Sequence, residues 1–172
     1  NVTVTRGALD TSAFYEIRKQ GNVSFGYIEL STFGTDTAKQ VEIALEMFKK
    51  KNIQTLVIDL RDNGGGYLTA ATDILDLFFT SDEVIYQMKE KNSAAKKYYA
   101  ESDKKYEFEN GYILVNENTA SASELTAGAL QSEKGYQLIG KTTYGKGSAQ
   151  TQKTLSDGSV LKYTYAKWMI PN

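Results

Sequence analysis

Apolar runs of strand length alternate along this chain with segments whose apolar residues recur at helical spacing. Phe14 to Arg18 and Ser24 to Leu30 read as strands, joined by a turn over Lys19 to Asn22. Asn1 to Arg6 (N-V-T-V-T-R) alternates as well and predicts the tail of a strand. Val41, Ala44, Leu45 and Phe48 share one helical face, behind Thr35 and Asp36, which can cap that helix; it should end near Lys51-Asn52. Gln54 to Leu60 (Q-T-L-V-I-D-L) predicts a strand covered on both faces. A helix is expected from Leu68 to Phe79, with Ala71, Ile74, Leu75 and Phe78 inward, and a strand over Glu83 to Lys89. The stretch Glu90 to Glu107 is the most polar and reads as a surface loop or short helix. Tyr112 to Asn116 is a second buried strand, Ser123 to Ser132 a helix, and Tyr136 to Gly140 a strand. Ala149 to Leu155 and Ser159 to Trp168 form a hairpin over Ser156-Asp157-Gly158. Strands followed by helices, twice over, predict an α/β domain. Its two sharp strand-to-helix turns, Arg61 to Tyr67 and Asn116 to Ser123, should share the carboxyl end of the sheet, where such folds gather their sites.

Composition narrows the chemistry more than the fold. The 172 residues, 41% of them hydrophobic, suit one domain with a sizeable core, and no segment is long and apolar enough to span a membrane. A net charge of −1 argues against nucleic acid or an anionic membrane surface as the main partner. There is no histidine, so Ser–His–Asp schemes, histidine bases and histidine-ligated metals are excluded within this chain. There is no cysteine, which removes thiol nucleophiles, disulfides and cysteine–zinc sites. Hydrolytic chemistry here must run on Ser, Thr, Lys, Tyr or carboxylates. The chain starts at Asn1 without a methionine, leader or anchor and stops at Pro171-Asn172, and reads as a piece of something longer.

Thr119 to Gln150 holds the candidate chemistry. Ser121 and Ser123 stand at the mouth of a helix, where backbone N–H groups can hold a developing negative charge. Lys146 lies between two glycines, and a desolvated lysine can lose its proton and act as a base. Together they suit a Ser–Lys dyad, one of the alternatives to Ser–His–Asp. Each feature also has an ordinary reading: serine is a favoured helix cap, and G-K-G is a common solvated turn. The three glycines Gly64 to Gly66 mean either a tight turn or a close backbone approach to a ligand. Asp59 and Arg61 read as a structural ion pair or loop anchor, and Glu124 as a helix-start residue complementing the dipole.

Four ordered segments then carry a resemblance: G-Y-I-E-L-S-T-F (26–33), D-L-R-D-N-G-G-G-Y-L (59–68), T-A-S-A-S-E-L-T-A-G-A-L (119–130) and G-K-G-S-A-Q (145–150). The chain resembles the catalytic core of the C-terminal processing peptidases, also called tail-specific proteases. The resemblance implies an α/β, crotonase/ClpP-like core of strand–helix units with a C-terminal β-hairpin. It implies Ser121 as nucleophile, Lys146 as base and Gln150 as its support. The oxyanion hole would come from the N–H of Ala122 and one in the glycine loop, Gly66 ahead of Gly65. It further implies polypeptide substrates with apolar C-terminal tails, no cofactor or metal, and a location outside the cytoplasm. On this reading residues 1–6 are a remnant of a preceding PDZ-like domain, residues 7–172 form the peptidase core, and a C-terminal part is missing. Two rivals share the fold: a crotonase-like acyl-CoA enzyme, needing neither Ser121 nor Lys146, and a non-catalytic ligand-binding relative, expected to have lost one of them.

Overall fold

The computed structural model describes residues 11–103 and 105–171, so the strand expected at Asn1 to Arg6 lies outside the described residues. β1 (Ala13–Gln20) and β2 (Val23–Leu30) form an antiparallel hairpin. β3 (Thr55–Asp59), β6 (Asn110–Val115) and β7 (Gln137–Gly140) continue that sheet in parallel, in the order β1-β2-β3-β6-β7. The connections carry α1 (Thr37–Lys50), α2 (Leu68–Leu75) and α3 (Ala122–Lys134). A second, antiparallel sheet runs β5-β4-β9-β8, with β4 (Val84–Glu90), β5 (Lys96–Tyr99), β8 (Ser148–Thr154) and β9 (Val160–Met169). This is an α/β architecture with the expected C-terminal hairpin.

The core lies between the first sheet and its helices. Ile28, Leu30, Leu56, Ile58, Ile113 and Val115 project from alternate positions of β2, β3 and β6 and are fully or nearly fully buried. The Phe48 ring of α1 packs flat onto β2 at Gly26, where a Cβ would come within 2.5 Å of it. β3 was expected to be covered on both faces and β6 to be buried, but burial alternates along both. Val57, Tyr112 and Leu114 on the opposite face are only half-buried. A continuous apolar run satisfies either arrangement, and only helix placement decides between them.

Two further expectations need correction. α1 starts after Asp36, but neither Thr35 nor Asp36 caps it through a side chain. Instead Thr37 Oγ1 accepts the Gly34 N–H at 2.8 Å and pairs with Ser12 Oγ at 2.5 Å. Among its described residues, the polar stretch Glu90 to Glu107 contains no helix; it contains β5, an edge strand on β4. Its Tyr98 ring stacks on Tyr86 with centroids 4.4 Å apart. The lysines of β5 point to water, which hides an edge strand from a search for apolar alternation.

Candidate active site

The site is built on two consecutive strand ends. At the end of β3, Asp59 is buried and receives both Nε and Nη2 of Arg61, the Arg61 N–H and the Tyr27 hydroxyl at 2.7 Å. Burial pushes the Asp59 carboxyl up, but the hydrogen bonds from Arg61 and Tyr27 outweigh it and hold it below the ordinary value. Burial, and then the bond to Asp59, push Tyr27 up to about 12. The ion pair is therefore the loop anchor expected of Asp59 and Arg61.

Beyond it the chain turns sharply. Asn63 is fully buried and acts as a hub: Nδ2 donates to the Leu30 carbonyl at 2.7 Å, and Oδ1 accepts the Gly65 N–H at 2.9 Å. Its own carbonyl accepts from the Ala120 N–H and from Ser123 Oγ, each at 3.0 Å. The glycine loop is thus stitched to the turn that carries Ser121. Gly66 follows at φ +152°, where a Cβ would stand 2.3 Å from the Phe33 carbonyl oxygen, so no side chain fits. Gly65 is confined too: a Cβ there would meet the Ala120 carbonyl oxygen at 2.8 Å and Ser121 Cβ at 2.9 Å.

After β6, Thr119 is buried, with Oγ1 donating to the Leu60 carbonyl at 2.7 Å. Ser121 then takes φ +60° and ψ −118°, a backbone region that a non-glycine residue enters only when its surroundings hold it there. This strained turn lifts Ser121 between strand and helix, directly before the first N–H of α3. Ser123, two residues on, is fully buried and bonded to Asn63, so it faces away from solvent.

Ser121, Ala122, Gly66, Lys146 and Gln150 line one open cleft of about 550 Å³ between the two strand-to-helix turns and the β8–β9 hairpin. Gly65 lies beneath that wall, buried, with its N–H already given to Asn63. The N–H groups of Ala122 and Gly66 have no protein acceptor among the described residues. Lys146 is half-buried, and its amine has neither a hydrogen bond nor an ion pair among the described residues. No hydrogen bond joins Ser121 Oγ to Lys146 Nζ. Gln150 is exposed and reaches Thr164 Oγ1 at 3.5 Å instead of Lys146. The cleft therefore gathers the expected residues without closing every contact among them. Sequence reasoning passed over Asn63 and Thr119 as participants. The asparagine just before a glycine run was the available signal, because such residues fold back onto local backbone.

Residues 24–172 match the profile of peptidase family S41. The chain belongs to that family. It is 40% identical over 164 residues to carboxy-terminal processing protease CtpB of Bacillus subtilis (strain 168), covering 95% of this chain and 34% of that protein. Carboxy-terminal processing protease CtpA of the same organism is 35% identical over 169 residues, covering 98% and 36%. The solved photosystem II D1 C-terminal processing protease superposes with a TM-score of 0.82 at 27% identity, covering 99% of this chain and 45% of that one. The chain spans about a third of the length of these curated relatives. Its fold is thus that of S41 proteases, and its motif segments all fall inside the matched span.

Proposed function

We propose that this S41 chain is the catalytic part of a serine endopeptidase that cleaves polypeptides near their C-termini, on a crotonase/ClpP-like core. The observation that carries the reading is Ser121, held at positive φ on a strand-to-helix turn, in one cleft with Lys146 and two unspent N–H donors. Neutral Lys146 takes the proton from Ser121 Oγ as the Oγ–carbon bond forms. The N–H groups of Ala122 and Gly66 hold the oxyanion, a role worth about 3 kcal/mol per donor in other enzymes. Gly65 becomes the weaker candidate because Asn63 already occupies its N–H. The lysine ammonium then protonates the leaving amine, and water releases the acyl group by the same base. Gln150 steadies the lysine once substrate closes the cleft. Tyr67, Leu68, Leu125 and Trp168 give the cleft an apolar wall, which suits apolar tails. A PDZ-like domain elsewhere in the protein, and a location outside the cytoplasm, belong to the same proposal.

Ser121→Ala and Lys146→Ala should each abolish peptide hydrolysis, and the double variant should be no worse, because both residues act in one step. Covalent labelling of Ser121 by an acylating inhibitor is expected. Hydrolysis that survives Ser121→Ala would sink the assignment, and an unlabelled Ser121 would turn attention to the acyl-CoA or binding readings.

A further inference from the structure

One side chain ties the lysine loop to the nucleophile turn. Glu124, the third residue of α3, accepts the Ser121 N–H on Oε2 at 2.7 Å. The same oxygen accepts the Lys146 N–H at 2.9 Å, and Oε1 accepts the Gly145 N–H at 2.6 Å. A residue serving only its own helix start would need the first of these bonds. The other two come from a segment more than twenty positions away, and both carboxylate oxygens are spent on them.

At Gly145 and Lys146 themselves, the N–H groups of that segment are held by Glu124. Residues 142–147 belong to no helix or strand, and Gly145 sits at φ +86° with nothing within 4 Å of where a Cβ would stand. Backbone bonds hold the loop on either side of the lysine, at Lys141 and Tyr144 to the Val115 and Thr119 carbonyls and at Gly147, whose carbonyl accepts the Trp168 N–H at 3.1 Å. The Gly145 and Lys146 N–H groups between them go to Glu124. The Glu124 charge meets backbone amides, and its carboxylate makes no ion pair with the Lys146 amine. This separation matters, because an ion pair would favour the protonated lysine that cannot act as a base. Charge-assisted bonds of this length are among the stronger restraints a loop can have.

We propose that Glu124 is the positioning residue of the site: its carboxylate sets Ser121 and Lys146 in a common frame by holding the backbone of both. The proposal rests on the Ser121–Lys146 reading above. Glu124 neither touches substrate nor exchanges a proton in it.

The test uses Glu124→Ala and Glu124→Gln in the intact protein. Alanine removes all three acceptors. Glutamine keeps the shape but turns an NH2 toward at least one N–H donor. Misplacing a catalytic group by about 1 Å costs roughly 100-fold, so Glu124→Ala should lower kcat about that much with KM within about twofold, and Glu124→Gln should lose less. The amide protons of Gly145 and Lys146 should lie far downfield and exchange slowly in the parent. Both features should be lost in Glu124→Ala, while the amides of Ala127 to Leu130 stay protected. A parent-like kcat in Glu124→Ala, or Gly145 and Lys146 amides that do not respond, would overturn the proposal. Should alanine unfold the protein, glutamine decides: kcat per folded molecule must still fall, and a loss that merely tracks the folded fraction would mean a plain helix cap. Because the amide signals do not depend on turnover, a dyad that failed its own alanine test would leave the clamp separately testable.

Discussion

Ser121 and Ser123 are chemically identical and two positions apart, yet the backbone gives them opposite surroundings. Positive φ at Ser121 turns one hydroxyl into the cleft, and the first turn of α3 buries the other against Asn63. Ser123→Ala should therefore act on stability. Losing one buried hydrogen bond costs about 1 kcal/mol, which for a domain of this size lowers Tm by roughly 2–4 °C. Thermal unfolding alongside active-site titration checks this: kcat per labelled site should be unchanged. A dead but fully folded Ser123→Ala would mean that the wrong serine was chosen. The motif T-A-S-A-S-E named the pair and the family resemblance put Ser121 first; the structure adds that Ser123 is buried.

At the scale of elements, β2, β3 and the glycine loop meet at the buried carboxylate of Asp59. Its folded-state value lies below the ordinary one, so its contribution to stability is complete above the unfolded value of about 3.9 and disappears as pH falls through the folded value. Asp59→Asn should destabilise the chain by about 2 kcal/mol near neutrality, in the range for hydrogen bonds to a charged group. The deficit should shrink in acid, where the parent carboxyl is protonated too. Urea unfolding over a series of pH values measures it, and a deficit that stays constant into strong acid would refute the role of the charge. Reading the ion pair from D-L-R was possible because the two residues alternate along a strand end. Tyr27 joins from another strand, and no local pattern announces it.

For the whole molecule, the cleft exists only because the second sheet is docked against α3. Ile170, just past β9, lies over Gly128 of that helix, where a Cβ would come within 2.4 Å of its side chain. Gly128→Leu should push Ile170 outward and shift β9 and β8, which carry one wall of the cleft. Overpacking of this kind costs about 1–3 kcal/mol. Peptide hydrolysis should fall well beyond what the lost stability explains, with circular dichroism showing α3 intact. Parent-like turnover in a destabilised Gly128→Leu would show that the cleft tolerates movement of the second sheet.

Periodicity alone determined the order of strands and helices apart from β5, since each amphipathic face is written in its own local segment. Absent histidine and cysteine determined which chemistries were open, and four spaced motifs determined the family. Tertiary structure decided the rest. The edge strand β5 owes its existence to pairing with β4 and to the stacked tyrosines, neither of which is a local property of K-K-Y-Y. Whether Gly65 or Gly66 keeps a free N–H depended on where the Asn63 side chain went. The work of Glu124 depended on a loop far along the chain arriving beside it. Hydrogen-bond partners drawn from distant segments leave no period in the sequence, because the geometry that joins them exists only once the sheets have packed.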